Sequence, residues 1–302
     1  MQELSSTVSI TAYMDGTYTA KKYGADKIVL LGFFIIGLLI ARFITSSRYI
    51  RPLKAGRQVV AEIKRKGIAS FLANQSRQSF FLIKDARGHP VGFTMDVSTD
   101  SMTHTGLNIQ SASLLYIRGK YSHEKIMFFQ SDNSFDRFSW KSETVMLGER
   151  SGTEILRVED GTVAVAKSGR NKTHQTYKPD PASIPDFLLD FVFTEMLEGS
   201  HAKIIVDTIN ADGKMVDVVI SRIKTKYRRP SQTEAEYKLN VSFSDDGGFS
   251  EVVYLDSQSR ILEIFLEPDG IYFVRTNVED ILEKFPERAD YILQREKILE
   301  QN

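Results

Sequence analysis

Short apolar and β-branched runs, separated by turn residues, fill most of the chain after residue 75. SFFLIKD (79–85), VGFTMDV (91–97) and KIIVDTI (203–209) are typical. Runs of this length and composition predict β-strands, with one face in a core. Roughly twelve runs follow one another without alternating helices, which predicts sequential antiparallel pairing and disfavours parallel α/β folds.

Repeated turn chemistry supports antiparallel hairpins. The first two runs are separated by a segment with Gly88 and Pro90, which predicts a hairpin turn. Asp-Gly pairs supply the positive φ that tight hairpin turns need. Four such pairs lie between strand-like runs, at 160–161, 212–213, 246–247 and 269–270.

One segment among the strands has helical character, SIPDFLLDFVFTEMLEG at 183–199. Ser183 is a candidate N-cap, Pro185 suits a first turn, and Gly199 is a stop signal. The helix is apolar around most of its circumference, whereas a helix on a flat sheet needs a narrower apolar face. We therefore predict a mainly β fold, a large curved antiparallel meander resembling a half-barrel, with this helix embedded in it. Its polar stripe, which is typical of a solvated face, contains Asp186, Asp190 and Glu198.

Helices are also predicted at both ends of the chain. KIVLLGFFIIGLLIARFI, residues 27–44, contains fourteen consecutive apolar or glycine residues at 28–41 and predicts a transmembrane anchor. A cleaved signal peptide is one alternative, but no small-x-small cleavage motif follows the run. A core helix of a soluble protein is the other alternative, and it requires either a polar stripe, which 28–41 lacks, or complete burial of the helix. At the other end, Asn277 is a candidate cap for the first of two closing helices.

The basic charge is concentrated near the predicted anchor. Residues 1–66 contain eleven Lys/Arg and four Asp/Glu, a net charge of +7. The remaining residues contain 28 Lys/Arg and 35 Asp/Glu, a net charge of −7. A basic segment beside an apolar helix predicts contact with anionic lipid headgroups. An acidic folded body argues against nucleic-acid binding. The predicted membrane-surface residues are Arg42, Arg48, Arg51, Lys54 and Arg57.

These patterns divide the chain into four parts. We predict an N-terminal tail at 1–26, the anchor at 27–44, a basic juxtamembrane linker and helix at 45–74, and a β-rich globular domain at 75–302, with its C-terminal helices from 277. The flanking charges, counted literally, favour a cytoplasmic domain.

The segment YKPDPASIPDFLLDFVF (177–193), the strand rhythm and the Asp-Gly hairpins together resemble the lipoprotein-carrier half-barrel class (LolA/LolB-like) of the bacterial envelope. The resemblance covers about residues 75–276. It implies an apolar cavity for acyl chains and an extracytoplasmic, periplasmic domain, against the literal charge count. A carrier that shuttles must be soluble or lipid-anchored, whereas this chain is predicted to have a transmembrane helix. The predicted anchor therefore favours a fixed receptor or scaffold.

No catalytic signature emerges from the residues. Cysteine is absent, which excludes disulfides and thiolate chemistry, and the five histidines form no paired-ligand motif. We therefore predict a non-enzymatic protein without metal or cofactor that binds an apolar ligand, a lipid or acyl chain, or a partner protein in the concave sheet. The alternatives are a scaffold subunit of a cell-envelope complex and a hydrolase with a dispersed site. The candidate groove residues are Trp140, Phe187, Phe191, Phe193 and Met196.

Overall fold

The structure is a computed structural model. The chain divides into two compact units, 1–50 and 51–302, and almost all described residues belong to the second. No helix of the described part has the length and apolar character needed to cross a bilayer. The predicted tail at 1–26 and anchor at 27–44, with Arg42 and Arg48, lie outside the described residues. The structure describes residues 49–72, 78–103, 106–118, 121–146, 148–169, 172–223, 235–244, 250–267 and 269–293.

The described residues contain fifteen strands in one sheet and several short helices. The strands are β1 (Gln78–Lys84), β2 (Pro90–Thr103), β3 (Gly106–Ile117), β4 (Tyr121–Ser131), β5 (Phe138–Met146), β6 (Glu149–Arg157), β7 (Val163–Ser168), β8 (Thr173–Tyr177), β9 (Ile184–Pro185), β10 (Lys203–Ile209), β11 (Met215–Arg222), β12 (Tyr237–Phe243), β13 (Ser250–Leu255), β14 (Ile261–Leu266) and β15 (Ile271–Thr276). The helices are α1 (residues 49–66), α2 (Ile68–Leu72), α3 (Leu189–Glu198), α4 (Val278–Lys284) and α5 (residues 289–293), with 3₁₀ turns at Asp186–Leu188 and Pro286–Arg288.

The strand order is more complex than a single meander. β1 to β8 form one arm and β9 to β15 the other, and the antiparallel pairing of β1 with β15 joins them. All pairs are antiparallel except β9 with β10. The predicted large antiparallel sheet is confirmed. Sequence reasoning missed β8 because THQTY has no apolar alternation, and β9 because it has only two residues.

The sheet curves until its two ends approach each other. The Tyr177 hydroxyl at the end of β8 donates a hydrogen bond of 2.9 Å to the Gly213 carbonyl in the β10–β11 turn. Lys167 of β7 lies 3.4 Å from Asp212 of the same turn. β8 and β9 do not pair with each other in the described sheet, and residues 178–183 pass between them. The result is a curved, open, half-barrel-like sheet, as predicted; the lipoprotein-carrier class remains a prediction.

The predicted Asp-Gly turns are confirmed at the three positions that the structure describes. Gly161, Gly213 and Gly270 have positive φ angles of 81°, 71° and 60° in the turns after β6, β10 and β14. These conformations strain a residue with a Cβ, which explains glycine after each aspartate. The Asp-Gly pair at 246–247 lies outside the described residues.

Three helices pack on the concave face. α1 and α2 lie across the end of the sheet that carries the β4–β5 turn, where the Ile68 amide donates to the Asn133 carbonyl at 3.1 Å. Apolar side chains of α1, α2 and α3 belong to one buried cluster with both arms of the sheet. α1 and α2 occupy much of the predicted 45–74 linker and helix. Gly56 lets α1 approach β10 closely, because a Cβ there would lie 1.8 Å from the Ile205 carbonyl oxygen.

The 183–199 segment differs from the prediction at its start. Ile184 and Pro185 form β9, a 3₁₀ turn follows, and α3 begins at Leu189 without a side-chain cap. Ser183 is therefore not an N-cap. A residue before a proline favours extended backbone, so Ile184-Pro185 continues as a strand and delays the helix. The predicted stop is confirmed, since α3 ends at Glu198 and Gly199 is its C-cap.

The C-terminal helices cover the opposite, convex face. Side chains of α4 and the following turn pack on β1, β2 and β3, where Phe285 contacts Phe93 and Tyr116. The predicted Asn277 cap is confirmed, because its side-chain oxygen accepts a 2.8 Å hydrogen bond from the Asp280 amide. The two faces of β1–β3 thus carry separate cores.

Gly56→Ala tests the close contact between α1 and β10. On an open helix this change stabilises by about 1 kcal/mol, because alanine is the better helix former. Here the added methyl must displace the Ile205 carbonyl, so we expect the free energy of unfolding to fall by about 1–3 kcal/mol in urea titrations. Ala61→Ser, at an exposed position of the same helix, is the control. A gain in stability from Gly56→Ala would contradict the described helix position.

Candidate functional site

The concave face of β2–β6 is divided into two halves along the strands. Toward α1 and α2 the inward side chains of β3–β6 are largely apolar and buried. Toward the opposite end the same strand faces become polar and accessible to solvent, because the helices do not cover them. The buried half contains Leu107, Ile109, Phe129, Phe138, Trp140 and Ile155, and the accessible half contains Thr94, Asp96, Ser113, Lys125, Thr144 and Ser151.

The five predicted groove residues all lie in the apolar interior. Phe187 packs edge-to-face against Trp140, with ring centroids 5.3 Å apart, and Phe191 stacks on Phe71 at 5.1 Å. Phe193 and Met196 are buried as well. The structure brings all five into one packed cluster, where the protein's own side chains fill the half of the concave face next to α1 and α2. Phe187 is the only half-buried member and borders the accessible half.

The predicted membrane-surface residues have different environments. Arg51 and Lys54 are exposed on α1. Arg57 forms an ion pair of 2.5 Å with Asp180, in the segment that passes between β8 and β9. Arg57 therefore also contributes to holding α1 against the sheet.

The accessible half of the concave face contains a cluster of charges that sequence reasoning did not assemble. Asp96, Ser113 and Lys125 are register partners across β2, β3 and β4, so their side chains share the inner face. The Lys125 ammonium lies 5.8 Å from the centre of the Trp140 ring. Asp186 and Asp190, the polar stripe of the helix, face the same region, because Asp186 interacts electrostatically with Lys125 and Asp190 with Asp96. We call Asp96, Lys125, Asp186, Asp190 and Arg275 the interior charge cluster.

The three carboxylates of this cluster resist ionisation. Burial raises the pKa of Asp96 to about 6, with a further rise from Asp190 and a lowering by Lys125. Burial also raises the pKa of Asp186 and of Asp190 to about 6, opposed by Lys125 and Arg275 respectively. Protein atoms close to a carboxylate disfavour its charged form.

Solvent access and desolvation coexist at this cluster. Asp96 and Asp190 are exposed residues, yet the surrounding protein raises the pKa of both. A water-accessible cleft inside the curved sheet accounts for both observations. Asp186 and Asp190 therefore face an interior cleft, whereas Glu198 of the predicted stripe is exposed and pairs with Lys66 of α1 at 2.8 Å.

Apolar side chains adjoin the charge cluster along the sheet. Phe273 of β15 and Ile264 of β14 are register partners on the inner face, and both are half-buried. Arg275 lies two residues beyond Phe273 on the same face. The inner face of the sheet thus carries polar side chains on β2–β5 and apolar side chains on β14–β15. Alternation within strands signals each set of side chains, but only the sheet order places β15 near β2.

Comparisons with known proteins leave the function open. No protein-family model and no curated protein matches the chain. Among solved structures, the chain is similar to a β-barrel-like protein of the domain of unknown function DUF1849 from Brucella abortus, with 9% identity and a TM-score of 0.47, over 66% of this chain and 95% of that one. A DUF1089 family protein from Pseudomonas aeruginosa matches with 9% identity and a TM-score of 0.30, over 55% of this chain and 87% of that one. At these scores neither structure bears on the function. The described residues hold no cluster of three or more residues suited to a metal ion.

The raised carboxylate pKa values predict a specific dependence of stability on pH. Between the ordinary pKa of 3.8 and the folded-state value of about 6, folded Asp96 holds a proton that the unfolded chain releases. Stability should therefore fall as pH rises through this window. Asp96→Asn removes that loss, so we expect it to stabilise the protein near neutral pH by about 1 kcal/mol, after allowance for solvent screening.

Thermal unfolding of both proteins at about pH 4 and near neutral pH measures the difference. Glu143→Gln, at an exposed position on β5, is the control and should change stability equally at both pH values. Equal effects of Asp96→Asn at the two pH values would contradict a desolvated carboxyl.

Proposed function

We propose that this chain is a non-enzymatic binding domain that takes an amphiphilic ligand, with an acyl chain and a polar headgroup, into the interior cleft. The observation that supports the proposal is that one inner face of the sheet combines accessible polar side chains on β2–β5 with half-buried apolar side chains on β14–β15. Ligand sites in proteins commonly combine apolar lining with a few convergent polar groups.

These two sets of side chains suggest how such a ligand would lie. An acyl chain would contact Phe273 and Ile264, whose remaining exposed apolar surface becomes buried on binding. A headgroup would reach Lys125, Asp96 and Asp190, where charged and hydrogen-bonding groups converge. Burial of an acyl chain is favourable by about 0.8 kcal/mol for each methylene group. Burial of a few methylene groups therefore outweighs a modest free-energy cost of taking the headgroup out of water.

The proposal changes the role of the predicted groove residues. Phe191, Phe193 and Met196 fix α3 against the sheet, and Phe187 and Trp140 form the floor between the packed core and the cleft. The proposed acyl site is therefore displaced from α3 toward β14 and β15. The half-barrel class suggested by the sequence would use the same concave face.

A membrane location completes the proposal. Residues 27–44 would tether the chain as a single-pass anchor, Arg51 and Lys54 would contact anionic headgroups, and the β-rich domain would lie on the extracytoplasmic side. The supporting features are the apolar run and the +7 charge of residues 1–66. A tethered receptor that accepts lipid from the adjacent membrane is consistent with both.

Native mass spectrometry of the detergent-extracted full chain tests the ligand. We expect a bound amphiphile with wild-type protein and its loss with Phe273→Ser, because a hydroxyl group would replace the apolar ring. Leu156→Ser, an exposed apolar residue of β6, is the matched control and should retain the ligand.

Wild-type protein that carries no amphiphile, even after incubation with bacterial phospholipid, would overturn the proposal. Stable co-purification of a partner protein without lipid would support the scaffold alternative instead.

A further inference from the structure

The inner face of the sheet carries a patch of hydroxyl groups next to the packed core. β3, β5 and β6 each contribute two of these residues, and register pairing through β4 places them in two adjacent rows. We call them the hydroxyl patch. One row contains Ser113, Thr144 and Ser151, and the other contains Ser111, Ser142 and Thr153.

Ser142 is the member of the patch that a solvated sheet face does not explain. The residue is only 6% exposed, yet its hydroxyl forms no hydrogen bond within the described part of the chain. Other buried hydroxyls, such as those of Ser131 and Thr208, bind backbone carbonyls. Buried polar groups of native proteins nearly always have a hydrogen-bond partner. Ser142 therefore points to a partner from outside the chain.

The Ser142 hydroxyl is still within reach of such a partner. Its oxygen keeps some contact with solvent, unlike the indole nitrogen of Trp140, which the protein encloses completely. The register of β5 with β4 and β6 places Ser142 opposite Met127 and Thr153 on the inner face. A ligand in the interior cleft can therefore hydrogen-bond to Ser142 without a change in the fold.

The size of the patch indicates a ligand with several hydroxyl groups. The other five members are half-buried or exposed, and their hydroxyls also lack partners among the described residues. Neighbouring strands lie about 4.8 Å apart, so the patch spans about 14 Å from β3 to β6. Each hydroxyl both donates and accepts, which suits another group of hydroxyls better than a single ion.

The charges beside the patch also favour a neutral ligand. Lys125 lies in the same row as Ser113 and Thr144, and Asp96 is the register partner of Ser113 on the other side. A phosphate near Lys125 would face the carboxylate of Asp96, and an ammonium near Asp96 would face Lys125. A sugar hydroxyl donates to the carboxylate and accepts from the ammonium, so it can bind both.

An aromatic ring completes the surroundings of the patch. Phe187 is half-buried and packs edge-to-face on Trp140, which precedes Ser142 by two residues on the same strand face. A sugar ring has apolar C–H groups on its faces and hydroxyls around its edge. Phe187 and the hydroxyl patch together match these two kinds of surface.

We infer that the hydroxyl patch binds a sugar, and that this sugar is the headgroup of the proposed amphiphile. The site takes a glycolipid in preference to a phospholipid, with sugar hydroxyls bound to Ser142, Thr144 and Lys125 and the ring against Phe187. The inference rests on the proposed function for the acyl chain. The patch by itself has the chemistry to bind a free sugar as well.

Native mass spectrometry of the full chain in a polyoxyethylene detergent tests the headgroup. The protein is incubated with equal amounts of glucosyl-diacylglycerol and phosphatidylethanolamine that carry the same acyl chains, so that only the headgroups differ. We expect the glucosyl lipid adduct to exceed the phospholipid adduct roughly tenfold, because several net hydrogen bonds distinguish them. Equal adducts, or an excess of the phospholipid, would overturn the sugar inference and leave the proposed function intact.

Ser142→Ala connects the preference to the patch. It removes a hydroxyl that has no partner in the described chain, so we expect unchanged thermal unfolding and a roughly threefold to tenfold smaller ratio of glucosyl lipid to phospholipid. Thr144→Val, which keeps the side-chain shape, should act in the same direction. Ser139→Ala, on the opposite face of the same strand, is the matched control and should keep the ratio. A ratio that neither patch variant lowers would contradict the inference.

Saturation-transfer NMR with methyl glucoside separates a lipid headgroup from a free sugar. Binding of methyl glucoside that Ser142→Ala abolishes, without binding of either lipid, would support a free-sugar site and overturn the proposed amphiphile function. Absence of binding by both lipids and by methyl glucoside would overturn the sugar inference and the proposed function together.

Discussion

The antiparallel pairing of β1 with β15 holds the domain together, because it joins the first strand of the described domain to the last. Phe81 lies opposite Arg275, and through this seam two arms of hairpins become one sheet. Closing such a long segment costs chain entropy before the pairing forms, so the contacts on both faces must offset it. α3 packs on the concave face of the joined arms, and α4 packs on the convex face beside the seam.

The same joined sheet explains the character of α3. A helix that is apolar over most of its circumference finds enough apolar surface only where a sheet curves around it. Phe191 contacts Phe71 of α2, while Phe187 contacts Phe129 and Trp140 of the first arm. The narrow stripe that remains, Asp186 and Asp190, faces the part of the concavity that no helix fills. Packing at one end of the sheet thus leaves the charged cleft at the other.

The interior cleft and the α1 end both hold charge at a cost in desolvation, and the desolvated groups named here differ in sign between them. In the interior cleft, burial raises the pKa of Asp96, Asp186 and Asp190, which disfavours the anionic form. At the α1 end, burial lowers the pKa of Arg157, which disfavours the cationic form. A structural role explains part of this pattern, because Arg157 donates hydrogen bonds to the Pro181 and Ser183 carbonyls. These bonds fix residues 181–183 between the two ends of the sheet. Perturbed ionisation is also characteristic of binding sites, and the interior cleft is accessible to solvent.

The sequence alone determined the local features of this protein. Strand runs, Asp-Gly turns, the Asn277 cap and an unusually apolar helix follow from residue chemistry within a few positions, and the curved antiparallel sheet followed from them. Ser183 shows the limit, since its local pattern suited a helix cap, whereas tertiary structure uses it to bind Arg157. Strand order, the parallel β9–β10 pair and the interior charge cluster depend on which distant strands pair. A period of two fixes which residues share a face but not which strand lies beside it, so only the tertiary structure placed Arg275, Asp190 and Asp96 in one cleft.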